Sequence, residues 1–292
     1  LRSEMMALLV LAGSAADFGV VLTHAKAERR PDGLSKARAL LERLMDHVEQ
    51  DIVDEHIPTV IQALFDVGDL LIDPADEHGM FDLGNVSRAS RPVYHLLKRV
   101  PADRRVDILN EAIKTGNALA VQSWLLRAVD EEITKAKDSS EPTLLTADEA
   151  TRLKATWISR VRTLSVKANF LDHPELPRLL SSWRHWGDGA EARAWCARVT
   201  ASDDGLLALL PKFVQHTRSQ TMGDWAVRLQ PRLNPNWLES YLDTTSCAER
   251  LIELAEKRAV PDEAEEAVTQ FLKEFDMLKA GKNPDGAGAF DE

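Results

Sequence analysis

The chain has 292 residues, and its 44% apolar side chains are enough for a sizeable core in one large or two medium domains. Its 36 basic and 47 acidic residues leave a formal charge of −11, which removes any general attraction to nucleic acid or to an anionic membrane, so a polyanion contact would need a local basic face. Two cysteines, Cys196 and Cys247, cannot build a disulfide framework or a metal site by themselves, and they fit a reducing, cytoplasmic compartment as buried free thiols.

Helical periodicity recurs from end to end, and the two-residue alternation of half-buried strands is nearly absent. The apolar stretch 5–19 is interrupted by Asp17 and small residues, and Glu4 stands where a signal peptide would be basic. It is expected to form a core helix over 4–11 and not a leader or a membrane span. A chain that starts at Leu1 is expected to continue a longer one. After the Pro31-Asp32-Gly33 turn, Leu34, Ala37, Leu40, Leu41, Leu44 and Val48 lie on one helical stripe. The next helix has Pro58 in its first turn, where a missing N–H does little harm. Its apolar positions, Ile57, Val60, Ile61, Leu64, Phe65, Val67, Leu70 and Leu71, predict a central helix buried on several sides. Pro74 and Gly79 open a loop whose Phe81 and Leu83 are expected to tuck onto the core.

A helix pair is predicted over 87–100 and 101–116, with Pro101 starting the second helix and Gly116 stopping it. A helix over 118–136 carries Val121, Trp124, Leu125 and Val129 inward. The polar, turn-forming residues 138–145 read as the linker between two subdomains. Thr146 and Glu149 form a T-x-x-E capping box, which predicts a helix start, followed by an inward Leu153, Trp157, Ile158, Val161 and Leu164. Further helices are expected over 175–186, 190–201, 205–218, 235–243, 246–258 and 262–279, with a kink or break at Pro211 and a frayed tail from 281. The expected fold is all-α, an irregular multi-helix bundle or superhelical array of about 11–13 helices. Residues 1–30 would connect to an upstream domain, 31–137 form a first helical subdomain and 146–280 a second.

Chemistry-bearing motifs are scarce. G-x-x-x-x-G-K-[ST], H-E-x-x-H, His-Asp and G-x-S-x-G do not occur. Asp-Glu-His appears at 54–56 and again at 76–78, but neighbouring residues on a helix diverge, and helical metal sites use i, i+3 or i+4 spacing. Solvated turns are the expected reading of both.

Charge is segregated instead. Eleven Asp or Glu and no Lys or Arg lie between Leu44 and Ser87; Arg88, Arg91, Lys98, Arg99, Arg104 and Arg105 follow within eighteen residues, opposed only by Asp103. Arg88, Arg91 and His95 share a helix face. This run is either a docking surface for an anionic partner or a basic helix lying against the acidic segment of the same fold.

Trp183, Trp186 and Trp195 fall within thirteen positions. Leu179, Trp183 and Trp186 share one helix face, and Trp195, Ala192 and Val199 belong to the next helix. A platform for single-stranded nucleic acid would need exposed rings along a basic groove, whereas Arg184, His185, Arg193 and Arg198 lie on the other faces. The reading is a helical hairpin with the tryptophan faces packed inside.

The order of several segments then resembles a known family. These are "ALFDVGDLLI", "FDLGNVSRASRPVYHLLKRVPADRRVDILNEAIKTG", "LTADEATRLKATWISRV" and "LPRLLSSWRHWG", the last followed by a charged helix with a further Trp. Over residues 57–240 this order is similar to the helical C-terminal region of KAP-family P-loop NTPases, large bacterial ATPases, many of them linked to defence against phage. The resemblance implies a nucleotide site, with ATP and Mg, in an upstream α/β domain carrying Walker A and B motifs. None of those residues stands in this chain, so the resemblance assigns it no catalytic, cofactor-binding or metal-binding residue. It implies a non-catalytic regulatory or protein-interaction region whose partner is the upstream NTPase domain or another protein. Two alternatives remain beside it: a free-standing helical scaffold, and a metal-dependent hydrolase using the loop 76–82.

Overall fold

The computed structural model describes residues 54–67, 93–136, 143–173, 175–221 and 238–281. Among them every regular element is a helix and none is a strand. The expected helices at 4–11 and 34–48, the ring and side chain of Phe81 and Leu83 with their loop, the second Asp-Glu-His, Arg88, Arg91 and the tail beyond 281 lie outside the described residues. The described residues belong to two compact units, which divide between Leu164 and Ser165.

In the first unit a short 3-10 turn, Asp54–His56, leads into α1, Ile57–Val67. Residues 93–99 form α2. α3 is Ala102–Thr115, α4 is Leu119–Ala136 and α5 is Ala147–Leu164. α1 packs on α3 and α4, and α5 packs on the same two helices. Burial on α1 follows a single stripe: Ile57, Val60, Ile61, Leu64 and Phe65 are inside, while Thr59 is exposed. The expectation of burial on several sides also rested on Val67, Leu70 and Leu71, whose side chains lie outside the described residues.

The turn between α3 and α4 holds this unit together. The Phe65 carbonyl, one of the orphan acceptors at the end of α1, receives the Ala118 N–H at 2.7 Å and the Gln122 side-chain amide at 3.1 Å. α5 closes on the same turn from its own side. Trp157 Nε1 donates to the Leu119 carbonyl at 3.2 Å. Arg160, one turn further on, donates through Nε to the Gly116 carbonyl at 2.9 Å and through Nη2 to the Thr115 carbonyl at 3.1 Å. Gly116 does stop α3 as expected, but its φ of −70° and ψ of 153° are extended, not left-handed. Glycine is required there for a different reason. A Cβ would lie 2.4 Å from the Phe65 carbonyl oxygen and 2.6 Å from the Gln122 amide nitrogen.

The capping box forms as read. Thr146 N–H donates to Glu149 Oε2 at 2.8 Å, and Glu149 N–H donates to Thr146 Oγ1 at 3.3 Å. These bonds hold the Glu149 carboxyl below the usual range, the Thr146 N–H contributing most. The stretch before it is no free spacer at its described end. Leu144 and Leu145 are buried, and Arg105 donates to the Leu144 carbonyl. The boundary expected at 138–145 thus gives way to one after α5. Residues 143–146 lead into α5, whose apolar face covers α3 and α4.

In the second unit a 3-10 turn, Ala168–Phe170, precedes α6 (Leu176–Trp186), α7 (Gly189–Val199), α8 (Asp203–Thr221), α9 (Thr244–Glu256) and α10 (Asp262–Lys279). α6 packs on α7 and α8, α8 on α10, and α9 on α10. Pro211 sits inside α8 without breaking it. Its missing N–H leaves the Leu207 carbonyl without the usual helical donor, and burial of Leu206, Leu209, Leu210 and Phe213 offsets that loss. Side chains seal the helix starts: Asp188 accepts from Ala190 N–H, Ser202 Oγ from Gly205 N–H, and Asp243 from Ser246 N–H. At the head of α6 lies a buried ion pair, Arg178 to Glu175 at 2.7 Å. Each charge there depends on the other, since removing one partner of such a pair typically costs about 3–5 kcal/mol.

Two of the three clustered tryptophans, Trp183 and Trp195, are in the core of this unit. Trp183 and Trp195 are each 3% exposed, too little to stack on a base. Trp183 Nε1 donates to Glu191 Oε2 at 3.3 Å, from α6 to α7. Trp195 Nε1 donates to the Ser165 carbonyl at 3.0 Å, and its ring meets Phe170 edge-on at 5.3 Å. Trp186 is half-buried. The hairpin of α6 and α7 stands as read, and Ala192 is inward. Cys196 and Cys247 are both free and buried. Burial pushes the Cys196 thiol up to about 12 and raises that of Cys247, so neither presents a thiolate near neutral pH.

Candidate docking surface

The basic run 88–105 crosses the end of α2 and the first turn of α3. Pro101 forces the chain out of α2 and leaves α3 to begin at Ala102, so Lys98, Arg99, Arg104 and Arg105 leave the backbone in different directions. Their fates differ accordingly.

Arg99 reaches back to the acidic segment. Its Nε and Nη2 donate to Asp54 Oδ1 at 3.0 and 2.6 Å. This is the internal pairing of basic run with acidic segment that the sequence left open. Both side chains are substantially exposed, so the pair contributes little stability, on the order of 0–1 kcal/mol. It also occupies the first acidic residue of the first Asp-Glu-His.

Arg105 is a structural clamp. Its guanidinium donates to three main-chain carbonyls, Val100 at 2.9 Å, Leu144 at 3.1 Å and Lys98 at 3.3 Å. The Lys98 carbonyl is among the last of α2 and that of Val100 follows directly after it, where a cation complements the helix dipole. With its donors turned to the backbone, Arg105 is no surface anion ligand.

Lys98 and Arg104 remain exposed. Lys98 Nζ lies 4.5 Å from the centroid of the Tyr94 ring. Tyr94 OH in turn donates to Glu132 Oε1 of α4 at 2.9 Å. Burial, aided by the neighbouring Glu132, pushes the Tyr94 phenol up to about 12. Tyr94 therefore stays protonated and serves as an uncharged shelf under the ammonium. Of the six cations read from the sequence, Lys98, Arg99 and Arg104 are exposed, Arg99 in its pair with Asp54; Arg105 is bound to the backbone of the first unit, and Arg88 and Arg91 lie outside the described residues. What Lys98 and Arg104 can do chemically is attract carboxylate or phosphate. Among the described residues no three His, Cys, Asp or Glu side chains gather as a metal-binding group. None of the described helices is long and apolar enough to cross a membrane.

The sequence reading missed an open groove in the second unit, about 710 Å³ in volume. Ala190, Ala194 and Ala197 of α7 form one wall, and residues 239–245 the other, with Arg193 donating to the Glu239 carbonyl. The i, i+4, i+7 spacing of the three alanines was the available signal, but it reads equally well as an ordinary small-residue helix face.

Comparison of the chain with known protein families, with curated proteins and with solved structures gave no match.

Proposed function

We propose that this chain is a non-catalytic helical regulatory or protein-interaction region that works with a P-loop NTPase domain in the cytoplasm. The resemblance of the segment order to the helical region of KAP-family NTPases supports the reading. The observation that carries it at the level of residues is the exposure of Lys98 and Arg104, two cations beside a clamp that fixes the backbone between them. A surface presented on a fixed backbone suits an acidic patch on a neighbouring domain or partner protein. In this reading ATP and Mg are held by the NTPase domain, and the present chain changes turnover without touching nucleotide.

The test is ATP hydrolysis by the product of the complete gene, with and without residues 1–292, and with Lys98→Glu combined with Arg104→Glu. Deletion is expected to change turnover by about fivefold or more, the lower end of ordinary coupling between sites. The double charge reversal should move turnover in the same direction, with the helical signal of the protein retained. Absence of any nucleotide-dependent turnover would overturn the NTPase reading. A deletion effect that the charge reversal fails to reproduce would keep that reading and dismiss the basic surface.

A further inference from the structure

No further inference is drawn: the strongest candidate, the open groove of the second unit between the alanine face of α7 and residues 239–245, is lined by one basic residue, Arg193, and two acidic ones, Glu239 and Asp243, so that charge selects no ligand, and nothing in the structure shows what covers it.

Discussion

Single residues fix this fold where two backbones come too close for a side chain. At Gly116 an added Cβ meets the Phe65 carbonyl and the Gln122 amide, and at Gly205 it would lie 2.0 Å from the Val199 carbonyl oxygen. Neither neighbour at Gly116 can move freely, since both belong to the bonded turn that α1, α4 and α5 share. Gly116→Ala is therefore expected to destabilise the protein by about 1–3 kcal/mol, the usual cost of overpacking, and Gly205→Ala by at least as much. Chemical denaturation of the two variants checks this; a Gly116→Ala variant as stable as the parent would show that the turn can open. The sequence marks Gly116 as a helix stop but hides why it must be glycine, because Phe65 lies far upstream in the chain. Trp183 makes the opposite case. Its spacing from Leu179 already placed it inward, and it is buried. Truncation to alanine should cost about 3–5 kcal/mol, read as a lowered unfolding midpoint. An unchanged midpoint would mean that the indole contributes nothing to the core.

Helices were readable to the extent that their signals are local. The Thr146 to Glu149 box spans one turn, and the structure builds it with both bonds. Asp262 and the acidic turn after it open α10 where the charge pattern put them. Of the kink or break expected at Pro211, the break does not occur, since packing can override a proline and α8 runs through. The cap carries a prediction of its own. Thr146→Ala should cost about 0.5–2 kcal/mol. The sign with pH follows from the lowered Glu149 value. A carboxyl whose folded value lies below its unfolded one stabilises the protein above the unfolded value, and that contribution disappears as pH falls through the folded one. The difference in stability between parent and Glu149→Gln, which keeps an acceptor but not the charge, should accordingly be full near neutral pH and shrink on acidification below the ordinary glutamate range. Paired denaturation curves at neutral and acid pH would decide it. A difference between parent and Glu149→Gln that stays constant or grows as pH falls would mean that the Glu149 charge plays no part in the cap.

At the scale of the whole molecule, what the sequence could not show was where one unit ends. A polar stretch looks like a linker whether it joins two domains or two helices of one, and only the contacts of the following helix separate the cases. Here α5 faces α3 and α4, and it buries Leu153, Trp157, Ile158 and Val161 against them. At about 1.5–3 kcal/mol for each large apolar side chain, those four contribute about 6–12 kcal/mol. A whole domain is stable by only about 5–15 kcal/mol. Removing α5 should thus abolish the folded state of the first unit, not merely trim it. The Arg160 and Trp157 bonds to the α3–α4 turn would go with it. Two truncated chains put this to the test, one ending at Leu164 and one at Leu145. The longer is expected to melt cooperatively by circular dichroism. The shorter should show a weak, broad transition and bind a hydrophobic dye at the uncovered faces of α3 and α4. If the chain ending at Leu145 melts as sharply and at the same temperature as the longer one, the unit boundary lies at 138–145 after all, and α5 belongs with the helices that follow it.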